Sequence, residues 1–349
     1  MLQSVEPMLH RAARLEDSIA EFRERRARRR GLLPTIAPYT GYGGPGWIRV
    51  LCRVLLIDGG DPTALGHSRV RGWRSFTSVP IDKAVVDVEI DGVVHQVDAD
   101  RGGVVDARVE VDLTPGWHTI VLRTTGSLSV EASVFVIDPS VRFGIISDVD
   151  DTVMVTYLPR PLLAAWNTFV LDEHARQPVP GMSVLYERLR TANPGCPVIY
   201  LSTGAWNVAP TLSRFLNRNL YPQGPLLLTD WGATHDRWFR SGRAHKESQL
   251  ARLATEFPDL KWLLVGDDGQ HDEELYGTFL EKNPHNVAAV AIRQLSPREA
   301  VFAGGRTRAE EIPRPAGVPW VEAPDGAGLW EKIVDRGVVE LAALDEEEQ

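Results

Sequence analysis

From Trp47 to Ile137 the apolar residues recur in short alternating runs: WIRVLCRVLLI, AVVDVEI, VVHQVDA, VVDARVEV, WHTIVLR and SLSVEASVFVI. A period of two is the mark of a half-buried strand. Asp91-Gly92 between two of these runs predicts a tight hairpin, because glycine takes the positive φ that such a turn demands. Many short strands at near-regular spacing predict an all-β, sandwich-like domain over residues 37–139. Its Asp and Glu residues fall at alternating positions, as on a solvated sheet face. No catalytic cluster occurs there.

After Asp138-Pro139-Ser140 the pattern changes. Strand-like runs, FGIIS, PVIYLS, LLLT, WLLVG and NVAAVAI, alternate with helical stretches, SVLYERLR, VAPTLSRFLNR, KESQLARLATEF and DEELYGTFLEK. This alternation predicts a doubly wound α/β domain over residues 140–340, with a largely parallel sheet. Ligands of such sheets bind at the carboxyl ends of the strands.

The flanks read more simply. Residues 1–36 predict a charged helix, with Leu15, Ile19 and Phe22 on one face and an Arg-dense end at Arg23, Arg25, Arg26, Arg28, Arg29 and Arg30. A solvated helix ending at Gly31 accounts for it. A weak anchor for anionic surfaces is the sharper alternative, diluted by Glu16, Asp17, Glu21 and Glu24. Residues 37–45, APYTGYGGP, read as a Gly/Pro-rich linker or loop, and residues 341–349 as an acidic tail.

Composition narrows the function classes. The net charge of -9 argues against a nucleic-acid binder, whose footprint is basic. The cysteines Cys52 and Cys196 stand outside any metal-binding or disulfide spacing. The N-terminus lacks the apolar stretch of a secretory signal, and no apolar run approaches the ~18 residues needed to span a bilayer. A cytoplasmic protein is expected. If it acts on lipid, it meets the membrane peripherally, from solution. Oligomeric state cannot be read from the sequence.

The chemistry concentrates in Phe143-Gly-Ile-Ile-Ser-Asp148-Val-Asp150-Asp151-Thr152, where an apolar strand runs into three carboxylates. Crowded carboxylates repel one another, and a divalent cation supplies a reason to keep them together. Hard oxygen ligands suit Mg²⁺. The spacing allows Asp148 to attack phosphorus while Asp150 handles the proton of the leaving group. Three further features join this one. Ile199-Tyr-Leu-Ser202-Thr203-Gly204 ends a second strand in a hydroxyl and a glycine, which can hold phosphate oxygens or simply cap a helix. His245-Lys246 opens a helical stretch, a common place for a surface lysine. Trp262-Leu-Leu-Val-Gly266-Asp267-Asp268-Gly-Gln-His-Asp272 ends a third strand in carboxylates. Asp267 can complete the metal site begun at Asp148, and Asp272 is either a supporting carboxylate or a helix cap.

In type and order these four features resemble the motifs of the haloacid-dehalogenase superfamily. Longer segments resemble one branch of it, the conserved domain of actin-patch phosphatidate phosphatases and their bacterial relatives. They are Thr40-Gly-Tyr-Gly-Gly, Ser147-Asp-Val-Asp-Asp-Thr152, Pro180-Gly-Met-Ser-Val-Leu-Tyr186, Tyr200-Leu-Ser, Trp206-Asn207, Gly224-Pro-Leu-Leu-Leu, His245-Lys246 and Val265-Gly-Asp-Asp-Gly-Gln-His-Asp272, over roughly residues 30–335.

The resemblance implies Mg²⁺-dependent hydrolysis of a phosphate ester, most naturally a lipid. Asp148 would be the nucleophile, and Asp150 the general acid and base with its carbonyl on the metal. Ser202 and Lys246 would bind the phosphoryl group, Asp267 would ligate Mg²⁺ and Asp272 would support them. Where the branch has Asn-Ser-Pro after the serine, this chain has Thr203-Gly204-Ala205, a change in the pocket wall. The apolar residues Tyr157, Leu158, Leu162, Leu163, Trp166 and Phe169 either pack on the sheet or form an acyl-facing lip over the site. The rival readings are a phosphatase for a soluble ester and a catalytically silent lipid- or partner-binding module.

Overall fold

A computed structural model describes residues 21–58, 78–155, 177–229, 235–269, 271–302 and 317–339. The apolar residues 157–169, the N-terminal residues before 21 and the acidic tail lie outside the described residues. Two compact units emerge, Met1–Asp112 with Trp117–Phe135, and Leu113–Gly116 with Val136–Gln349.

In the first unit, residues 21–29 are helical. Arg25 pairs with Glu21 and Arg28 with Glu24, one turn apart on the exposed surface. Gly31 ends the helix at φ 81°. Among the described residues nine strands follow: β1 (Leu33–Pro38), β2 (Gly41–Gly44), β3 (Trp47–Ile57), β4 (Val79–Pro80), β5 (Val85–Ile90), β6 (Val93–Asp98), β7 (Val104–Glu110), β8 (Gly116–Thr124) and β9 (Val130–Val136). They form one sheet of order β1-β3-β2-β9-β8-β5-β6, with β4 and β7 also on β3. The long β3 is the hub, pairing antiparallel with β1, β2, β4 and β7. Alternation turns Val86, Val88 and Ile90 of β5 inward. The Asp91-Gly92 hairpin joins β5 to β6 with both residues at positive φ, 48° and 81°.

Residues 33–45 differ from the helix end and loop that the sequence suggested. They hold β1 and β2, and Tyr39 and Tyr42 are buried. The glycines that imitate a linker serve close approach instead. A Cβ on Gly41 would meet the Arg49 carbonyl oxygen, and one on Gly43 would stand 2.5 Å from that of Trp47.

The second unit is α/β. Its six-stranded sheet holds β10 (Phe143–Asp148), β13 (Val198–Ala205), β14 (Leu226–Thr229), β15 (Lys261–Asp267), β16 (Val287–Arg293) and β17 (Trp320–Ala323), while β11 (Met154–Val155) and β12 (Gln177–Pro178) pair apart from it. Every neighbouring pair in the six-stranded sheet is parallel. The strands are near-continuous apolar runs, as expected of strands covered on both faces, and β10 is buried throughout. Helices Met182–Ala192, Ala209–Arg218, His235–Glu256, Asp272–Lys282 and Pro297–Phe302 make the crossovers, and Gly326–Asp335 follows β17.

The order β14-β13-β10-β15-β16-β17 decides where a ligand can sit. From β10 the chain first winds one way, to β13 and β14, and then returns to the other side of β10 for β15, β16 and β17. The direction reverses between β10 and β15, so the two crossovers leave that point in opposite directions and open a crevice at the carboxyl ends of these strands. Asp148 is the last residue of β10 and Asp267 the last of β15.

Candidate active site

The carboxylates of Asp148, Asp267 and Asp272 converge at this crevice, with one oxygen from each within 4.8 Å of the others, all three buried. Lys246 rises from helix His235–Glu256 to join them. Its Nζ donates to Oδ1 of Asp148 and to Oδ1 of Asp272, both at 2.7 Å. Two of the strand ends singled out in the sequence, those of β10 and β15, therefore share one site with Asp272 and the lysine. That lysine is no surface residue, its side chain being only 12% exposed.

Burial sets the electrostatics. It pushes the Asp148 carboxyl well above the usual carboxylate range; Lys246 pulls down, while Asp272 and Asp150 add to the rise. Asp267 is raised by burial and then by Asp272, Asp148 and Asp151, against which the amide of Gly269 pulls at 2.6 Å from Oδ1. Burial lowers Lys246, yet Asp148 and Asp272 more than offset it, so its ammonium holds its proton more tightly than usual. Within the cluster one ammonium faces three carboxylates. Full ionisation leaves two negative charges without a counterion, and every donor is oxygen. That charge and donor set fit a hard divalent cation.

Asp272 is the first residue of helix Asp272–Lys282, whose cap is His271. It does not cap: its Oδ2 turns back to the amide of Asp267 at 3.4 Å, and its Oδ1 takes Lys246. Gly266 makes the room. A Cβ there would stand 2.7 Å from Oδ2 of Asp272, 2.8 Å from its Cβ and 2.8 Å from the Tyr276 ring. Gly266→Ala is expected to push Asp272 off Lys246 and to lower melting by the equivalent of about 1–3 kcal/mol. A melt of the variant beside Asp272→Asn checks this; a neutral Gly266→Ala would mean the site has slack that the geometry does not show.

Asp150 stands apart from the triad. Its Oδ2 accepts from Ser202 Oγ at 3.1 Å. Ser202 lies inside β13 and is not a helix cap; its Oγ accepts the Gly204 amide at 3.0 Å. Thr203 and Gly204, expected to hold phosphate, are tied to their surroundings: both carbonyls accept from Thr229 Oγ1, at 3.0 and 3.2 Å.

Residues to which the sequence reading gave no role hold the loop after β10 and its neighbours. Ser147 Oγ donates to the Asp148 carbonyl at 2.6 Å and lies 2.5 Å from the Tyr186 hydroxyl, so a buried chain of hydroxyls steadies the peptide after Asp148. Tyr221 donates to the Val153 carbonyl at 2.8 Å, and Arg293 to that of Asp151 at 2.7 Å. Asp268 accepts the Leu295 amide. Ser296 and Glu299 cap each other's backbone at the start of helix Pro297–Phe302. This last signal was readable, as Ser-x-x-Glu.

Comparison with known proteins gives the following. Residues 143–294 match the profile described as phosphatidate phosphatase APP1, catalytic domain. Phosphatidate phosphatase APP1 of Saccharomyces cerevisiae is 25% identical over 238 residues, 65% of this chain and 40% of the yeast protein. An uncharacterized protein of Schizosaccharomyces pombe is 26% identical over 152 residues, 43% of this chain and 25% of that protein. The chain thus spans well under half the length of either relative. Among solved structures, an uncharacterized protein from Listeria monocytogenes serotype 4b aligns at TM-score 0.33 and 12% identity, over 55% of this chain and 97% of that one. A carbohydrate acetylesterase from Xanthomonas citri aligns at TM-score 0.28 and 12% identity, over 78% and 73%. Likenesses that slight say nothing about this fold or its chemistry. The sequence matches bear out the resemblance read from the motifs: residues 143–294 are similar to the catalytic domain of phosphatidate phosphatase APP1.

Proposed function

We propose that the chain hydrolyses phosphomonoesters through an aspartyl-phosphate on Asp148, with Mg²⁺ as cofactor and phosphatidate or a related phospholipid as substrate. The observation that carries this reading is the buried group of Asp148, Asp267 and Asp272 around Lys246, at the reversal point of the parallel sheet. On this reading the α/β unit is a doubly wound domain of the haloacid-dehalogenase type, covering residues 140–340 and preceded by a sandwich-like domain at 37–139. The enzyme is cytoplasmic and meets the anionic membrane peripherally. Arg25 and Arg28 have carboxylate partners within their own helix, which tempers the case for that helix as an anchor.

The chemistry follows from the side chains. An oxygen of Asp148 attacks phosphorus and the ester P–O bond breaks. Asp150 gives its proton to the departing alkoxide, then takes one from the water that attacks the aspartyl-phosphate, releasing inorganic phosphate and restoring Asp148. Ser202, with the segment Thr203-Gly204, and Lys246 steady the phosphoryl oxygens. Lys246 is fixed for this by Asp272. Mg²⁺, held by the carboxylates of Asp148 and Asp267 and the carbonyl of Asp150, would offset negative charge on the phosphoryl group.

Asp150→Asn should separate the two proton roles. An alkyl ester needs the proton to leave, so its turnover is expected to fall about 10² to 10⁴-fold. An aryl phosphate leaves unaided, so it should still give a burst of phenol followed by slow release of phosphate. The same assay, run on the native chain with micellar phosphatidate beside sugar, nucleotide and glycerol phosphates, tests the substrate. Turnover of soluble esters alone would replace the lipid reading with the soluble-ester one. Vesicle binding without turnover would leave only a binding module.

A further inference from the structure

Arg293 is a cation buried beside the site, and none of the steps above uses it. It ends β16 in register with Asp267 and is only 4% exposed. Burying a guanidinium is costly unless it is paired, and here each end has a partner. Nη2 lies 2.7 Å from Oε1 of Glu299, and Nη1 donates at 2.7 Å to the carbonyl of Asp151. Hydrogen bonding to Arg293 and to the Ser296 backbone outweighs burial and keeps the Glu299 carboxyl below its usual range. The positive charge is thus matched by Glu299 and is not spent on the acidic triad. What remains is geometry: a planar fork with one tine on a particular peptide.

That peptide matters. Asp151 has φ 56°, in the left-handed region that Asp tolerates better than most residues but still at some cost. The turn closes on itself through the Asp151 amide to the Met154 carbonyl and the Val153 and Met154 amides to that of Val149. These bonds fix the turn's own shape. Arg293 fixes the turn to β16, the second strand over from β10. The same residue's carbonyl also accepts the Asp268 amide at 3.0 Å, so one strand end ties both acidic loops together.

We propose that Arg293 is a positioning residue: by holding the Asp151 peptide, with Glu299 holding Arg293 in turn, it aims Asp150 at the leaving oxygen. The proposal rests on the reading of Asp150 as general acid and base.

Arg293→Lys, Arg293→Gln and Glu299→Gln are measured with a glycerol phosphate or phosphatidate ester, whichever the native chain hydrolyses, and with p-nitrophenyl phosphate. Displacement of a catalytic group by about 1 Å can cost ~10²-fold. The kcat for the alkyl ester is expected to fall by that order in both Arg293 variants and less in Glu299→Gln. The burst rate with the aryl ester should stay within about threefold and KM should hardly move, because departure of the aryl group does not need Asp150. Equal loss on both esters, or no loss on either, overturns the proposal. Amide hydrogen exchange gives a readout free of turnover. Exchange at Asp151, Val153 and Met154 should quicken in the Arg293 variants while β15 stays protected. Unchanged exchange there overturns it too. If the native chain releases no phosphate from any ester, the phosphatase reading has failed, and the exchange arm judges the Arg293 contact by itself.

Discussion

Asp148→Asn is expected to abolish turnover of every ester, by at least about 10⁴-fold, while leaving a folded protein. The size follows from the role. Asparagine matches aspartate in volume but has no anionic oxygen, so the covalent route closes, and what survives is the small rate that binding and charge alone provide. The fold should survive because the change removes a burden. Asp148 is buried with its carboxyl pushed up by that burial, and the uncharged amide needs no counterion. Lys246 keeps Asp272 at 2.7 Å, and an amide oxygen can accept its second bond. Mass spectrometry after acid quench should find a phosphate on Asp148 in the native chain and none in the variant. Near-normal activity in Asp148→Asn, or a phosphoryl group trapped on another residue, would rule out the mechanism whatever the fold.

The parts of this site that the sequence displayed are those held by strand ends. Asp148 and Asp267 each close an apolar run, and a parallel sheet brings the ends of neighbouring strands together by its hydrogen bonding, so pairing β10 with β15 was enough to unite them. Asp272 and Lys246 were legible as residue types and not as partners. Which of several acids a lysine reaches depends on where a helix crosses the sheet, and Gly266, which lets Asp272 come close, announces its purpose only once Asp272 stands against it. Arg293 and Tyr221 were invisible for a plainer reason. They act on backbone carbonyls, and a carbonyl leaves no trace in a sequence. The misread segment at 37–45 makes the same point from the other side. Glycine marks a flexible linker and a crowded strand with the same letter, and only the carbonyls of Trp47 and Arg49 distinguish them.

Asp267→Asn should change stability in opposite directions with and without metal. In the metal-free chain burial raises both Asp148 and Asp267 above their unfolded values. A carboxyl whose folded pKa is raised binds its proton more tightly in the native state. Its contribution is present at low pH and is lost as pH rises from the ordinary carboxylate range through the raised value. Melting temperature without metal is therefore expected to fall as pH climbs out of the ordinary carboxylate range and through the raised values. Binding of a cation requires the deprotonated carboxylates, so the gain from Mg²⁺ should grow over the same interval. At 100 times its Kd the ion adds about 2.7 kcal/mol, or roughly 5–10 °C for a unit of this size. In Asp267→Asn the pH slope should flatten and the metal-free protein should melt above the native chain at pH 8. The Mg²⁺ shift should all but vanish, and activity should drop by about 10² to 10³-fold, the several kcal/mol that a bound cation contributes. The two halves of this prediction have different causes, repulsion for the first and ligation for the second. A variant that keeps the full Mg²⁺ shift would place the ion elsewhere, and one that melts lower than the native chain at pH 8 without metal would show that Asp267 is ionised and satisfied by the protein alone.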